Sequence, residues 1–140
     1  MEPTIEKQIP PLRIQSDSNF IEFERLSYEE YDWHLSAIAE ANDFRGSLDA
    51  YCVRADVQKF VQELHALNES LSGSATLHAI SPKEFELKLF AIDRPGHIGV
   101  TISMQRNVYG NKSFSHRFEG GFEIEPNDLN TIEDWFTETT

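Results

Sequence analysis

Between residues 93 and 97 the sequence sets an acid, a base and an imidazole close together: Asp93, Arg94 and His97, in the stretch DRPGHIGV. A carboxylate orienting an imidazole, with a guanidinium to hold an anion, is the outline of an acid–base site. The spacing argues against it. Pro95-Gly96 is a turn dipeptide between two alternating runs: proline presets φ and glycine takes the positive-φ position. His97 then begins a strand with a parity opposite to Ile98 and Val100, so it faces water, and Asp93 and Arg94 flank the turn in solvent.

The remaining chemistry-bearing residues do not converge either. The other histidines, His34, His65, His78 and His116, fall in separate segments, without the i, i+4 or HExxH spacing of a helical zinc site. With a turn at 110–111, Gln105 faces His116 and His97 faces Ile124. That leaves the two imidazoles about eight residues apart, on the order of 26 Å. His116 shares the parity of Phe114, Phe118 and Phe122, as expected of a hydrogen-bonded histidine at the margin of an apolar face. The lone Cys52 shares a face with Leu48 and Ala50 and reads as an inert buried thiol. No G-x-S-x-G elbow, calcium loop or phosphate-cradling glycine loop is present; Gly120-Gly121 precedes a strand, not a helix. The reading is therefore of a chain without catalytic residues, cofactor or metal.

The elements that carry these residues are legible from period. NFIEFERLSY (19–28) reads as a strand, followed by strands at 33–41 and 44–53 around the turn pair Asn42-Asp43. The period then changes. Val57, Phe60, Val61, Leu64, Leu67 and Leu71 form one helical stripe, Asp56 sits at its start, and Gly73 supplies a left-handed cap. Alternation returns in 75–79, 85–91, 98–104 and 114–122, and Leu129, Ile132, Trp135 and Phe136 mark a short C-terminal helix. No internal repeat is visible. The expected architecture is α+β: an antiparallel meander of about six to seven strands, covered on one face by one long helix and a short C-terminal helix. Residues 1–140 form a single domain, with 1–10 a flexible or extended lead-in at Pro10-Pro11.

Composition narrows the class. The 140 residues carry 24 acids and 12 Lys and Arg, net −12. Residues 1–70 hold 14 acids and 6 bases, 71–118 hold 3 and 6, and 119–140 hold 7 acids and no base. Such a surface repels phosphate and anionic lipid, which disfavours nucleic acid and membrane, and attracts a basic protein. The start MEPTIEKQIPPL lacks the apolar core of a signal peptide, and a single cysteine suits a reducing compartment, so the expected location is the cytoplasm.

From Trp33 to Phe136 the chain resembles the immunity-protein-like family linked to WapI-type polymorphic toxins. The matching residues are Trp33, Phe44 with Gly46, Ala50-Tyr51, then Asp56, Phe60, Leu64 and Leu67. Next comes the helix exit Leu71-Ser72-Gly73-Ser74-Ala75-Thr76-Leu77. After it follow Phe85-Glu86-Leu87, Gly96-His97-Ile98 with Val100, and Phe114 with Phe118. Family members close the last strand with a segment similar to FETDQxxL; here Glu125 and Pro126 stand where Asp and Gln are usual. The resemblance implies a cytoplasmic antitoxin that binds and neutralises a toxin domain without catalysis. The expected contact surface is the acid-only C-terminal segment, Glu119, Glu123, Glu125, Asp128, Glu133 and Asp134, facing a basic toxin domain, with the protein a monomer or weak homodimer. The alternatives are a small-ligand-binding domain using His116 and Tyr51 in a cleft between sheet and helix, and an oligomeric interaction domain joined through a strand edge.

Overall fold

The computed structural model of the chain describes residues 9–28, 32–81, 83–93, 96–108, 110 and 114–138. The expected flexible segment 1–10 thus lies largely outside the described residues, as do Arg94 and Pro95 of the turn considered above. The architecture is α+β, but the strands form two antiparallel sheets rather than one meander. The first is built from β1 (Leu12–Ser16), β2 (Asn19–Tyr28), β3 (Asp32–Ala41) and β4 (Phe44–Val53), and α1 (Arg54–Ser70) follows. The second is built from β5 (Ser74–His78), β6 (Phe85–Ala91), β7 (Ile98–Val108) and β8 (Phe114–Ile124), and α2 (Asp128–Glu138) follows. Each sheet has four strands in sequence order.

A repeat is therefore present in topology though not in sequence: four strands and a helix, twice. The packing respects it. β3 touches β8 while β4 touches β7, and α1 touches β5 while α2 touches β1, two pairs of contacts that exchange of the halves preserves. In both final strands, burial is confined to the C-terminal end: Ala50 and Cys52 in β4, Ile124 in β8.

Local sequence explains the elements. Alternation puts Ile21 and Phe23, then Trp33, Leu35, Ala37 and Ala39, on the inner face of the first sheet, and Leu87, Leu89, Val100 and Ile102 on that of the second. Asn42 and Asp43 both take positive φ, 51° and 70°, the conformation of a tight turn whose twist suits a hairpin. In α1, Val57, Phe60, Leu64 and Leu67 are buried. The left-handed residue that ends α1 is Leu71 (φ 54°), whose N–H donates to the Leu67 carbonyl at 2.7 Å, so the cap stands two residues before Gly73.

The core is continuous across the halves. Phe136 of α2 is its hub: its ring is 5.7 Å from that of Trp33, 5.1 Å from Phe60 and 6.2 Å from Phe23. Phe23 in turn meets Phe85 edge-on at 6.0 Å. Backbone bonds stitch the halves further, with the Ile80 N–H donating to the Tyr51 carbonyl at 2.7 Å. The Trp135 indole donates to the Pro10 carbonyl at 2.8 Å, pinning the chain ahead of β1 onto α2. Among the described residues no helix is long and apolar enough to cross a membrane.

Candidate protein-binding surface

β8 is the outer strand of the second sheet, paired with β7 in the register Val108↔Phe114, Arg106↔His116, Met104↔Phe118 and Ile98↔Ile124. The register is one residue away from the expected one, with Val108 rather than Tyr109 closing the last described pair. In it, Phe118, Phe122 and Ile124 point inward, while Arg117, Glu119 and Glu123 line the outer side.

The acids singled out from sequence are distributed along this strand and into α2. Glu119 is exposed and pairs with Arg117 at 3.1 Å. Glu123 is exposed and pairs with His97 at 3.0 Å, so His97 does face outward at the start of β7. Glu125 is exposed at the strand's end, and its N–H donates to the Asp128 carboxylate at 3.1 Å, closing the turn into α2. Asp134 is exposed, whereas the neighbouring Glu133 points toward α1. There Glu133 meets the His65 ring nitrogen at 3.2 Å, and only 18% of its side chain is accessible. The structure thus leaves Glu119, Glu123, Glu125 and Asp134 exposed, the first three along one side of β8 and its end, and uses Asp128 and Glu133 locally.

Histidine and cysteine chemistry is dispersed. His34 stacks on Tyr51 at 4.1 Å on the outer face of the first sheet, near Asp49. His78 lies 3.5 Å from Glu86 at the far edge of the second sheet. Cys52 is fully buried against Trp33's strand, and desolvation, aided by the charge of Asp56, pushes its thiol up to about 12. Tyr51 and His116, the pair suggested for a ligand cleft, lie on different sheets and do not meet; the space between α1 and the sheets is filled by Phe60, Leu64 and Leu67.

One surface escaped the sequence. His116 shares the parity of buried residues, yet it is exposed and makes no hydrogen bond among the described residues. The last inward residue under cover is Phe118, which meets Gly46 of β4. Beyond it the inner face is open: Val108 is 49% and Phe114 57% exposed, and Phe44 at the start of β4 is 72% exposed. Phe44, Val108 and Phe118 border a cleft of about 530 Å³ between β4 and the hairpin, whose walls also carry Arg45, Arg106, Arg117, His116 and Glu119. Phe44 and Phe114 read as core by period; the signal for their exposure was the cluster of bases around them.

No family model, curated protein or solved structure matches the chain.

Proposed function

We propose that the protein is a non-catalytic, immunity-type protein that binds and neutralises a basic toxin domain in the cytoplasm. The observation that carries this reading is the exposed acidic run along the outer side of β8 and into α2. There Glu119, Glu123, Glu125 and Asp134 stand in a segment with seven acids and no base. A surface of that sign steers a basic partner and is complementary to its cleft. The dispersal of the histidines over separate elements supports a role exercised by contact rather than by chemistry.

The direct test mixes this chain with the products of the genes that flank its own, seeking a basic toxin domain among them. Mixing the two should give a stoichiometric, inactive complex whose association slows as salt rises. The combined change Glu123→Lys, Glu125→Lys and Asp134→Lys should weaken the complex while leaving the melting temperature nearly unchanged, because these side chains make no buried contact. A salt-independent association rate, or binding indifferent to the triple change, overturns the proposal.

A further inference from the structure

We infer that the open end of the sandwich, between β4 and the β7–β8 hairpin, is a docking site for an acidic protein segment that presents an apolar side chain between carboxylates. It lies toward the other end of β8 from Glu123 and Glu125, shares only Glu119 with the acidic surface, and needs no basic partner.

Three observations meet here. The apolar floor and rim are Phe44, Leu48, Met104, Val108 and Phe118, and Phe44, 72% exposed, is among the most exposed aromatic side chains of the described residues. A contiguous apolar patch rimmed by polar groups marks an interaction site, since solubility alone would favour small polar residues there. The charged lining is mainly cationic, three arginines against one acid among the described residues: Arg45 and Arg106 form no ion pair there, and Arg117 is answered by Glu119. Finally, the sequence from Arg94 to Phe118 contains no Asp or Glu at all, in a chain that carries 24 of them. A pocket of about 530 Å³ is of ordinary size for receiving a large side chain or small ligand.

Charge and shape together select the occupant. Guanidinium groups beside an apolar floor suit carboxylates that flank an aromatic or aliphatic anchor. A short acidic segment confines its charge to the arginines of the cleft, whereas the continuous phosphate charge of nucleic acid runs on over a surface whose net charge is −12. Two copies meeting mouth to mouth would set arginine against arginine.

The probe is a labelled synthetic peptide of one strand's length that alternates glutamate with phenylalanine, followed by fluorescence anisotropy on the full chain. The expected result is saturable binding, weakened by about tenfold or more in Arg45→Glu/Arg106→Glu and, separately, in Phe44→Ser. These side chains are exposed, and circular dichroism checks that the variants stay folded. The Glu123→Lys/Asp134→Lys variant should bind the peptide as the natural chain does, which separates this site from the acidic surface. Absence of binding, equal binding of a glutamate-only peptide or of oligodeoxythymidylate, or unchanged affinity in the mouth variants overturns the inference. Self-association in sedimentation that the mouth variants abolish would reassign the site to a second copy and overturn it too.

Discussion

Gly46 of β4 lies directly against Phe118 of β8, where the two halves of the protein meet: a Cβ on Gly46 would stand 2.6 Å from the Phe118 Cβ and 2.9 Å from its Cγ. A Cβ cannot rotate away, so Gly46→Ala must push the sheets apart. The expected cost is about 1–3 kcal/mol of unfolding free energy by denaturant titration. Pairing it with Phe118→Ala should cost less than the sum of the single changes, because the second removes the obstruction that the first creates. Strict additivity would show that the two residues do not bear on each other.

The buried stripe of α1 makes a second prediction. Leu64 is fully buried in the shared core, so Leu64→Ala should cost about 2–5 kcal/mol, the transfer loss plus the cavity left behind. Because the core runs through both halves, the variant should still unfold in one transition. A biphasic curve would mean that the halves hold together less tightly than their contacts imply.

Cys52 provides a pH-dependent test. Its thiol is neutral in the folded protein up to about pH 12, against about 9.0 when unperturbed. Below the unfolded value both states carry the proton and the group does not alter stability with pH. As pH rises from about 9 toward 12 the unfolded chain ionises and the folded one does not, so stability falls across that window. Cys52→Ala should flatten this part of the pH–stability curve. The native thiol should also react with a disulfide reagent only at the rate of unfolding, and fast native labelling would contradict its burial.

Arg25 makes the fourth. It is the buried charged residue among the described positions, with its guanidinium 3.8 Å from the Trp33 ring centroid and 4.6 Å from that of Tyr28, and its Nε–H donating to the Ser27 carbonyl at 2.9 Å. Burial lowers its pKa from the usual arginine range, and the Arg54 charge acts the same way while Tyr28 opposes it. Planarity matters more than charge for stacking. Arg25→Lys should therefore cost about 1–2 kcal/mol and shift Trp33 emission. An unchanged stability would show that the stacked plane contributes little.

Much of the fold was readable because period and turn chemistry are local. The bounds of β2 and β4 and the Asn42-Asp43 turn follow from alternation and from residues that tolerate positive φ. The α1 stripe follows from its 3.6-residue period. What alternation cannot reveal is where one sheet stops and the next begins, since a strand's pattern records which side is buried but not by whom. Splitting the strands into two sheets is a property of the packing around Phe136, which joins residues far apart in the chain. β1 was missed because only Leu12 and Ile14 alternate behind Pro10-Pro11. The same blindness to partners misplaced Phe44 and Phe114. Their spacing is that of core residues, but both lie at strand ends, where they remain exposed. The acidic surface was readable as charge, while the inward turn of Glu133 depended on where His65 of α1 would lie.

The duplicated strand-and-helix topology bears on ancestry as well as architecture. A chain stopped after α1 would present the inner faces of Phe23, Trp33 and Leu35 to water, and the surface best shaped to cover them would be another copy of itself. Two short identical chains could in this way assemble the ancestor of the molecule, with fusion later freeing each half to diverge.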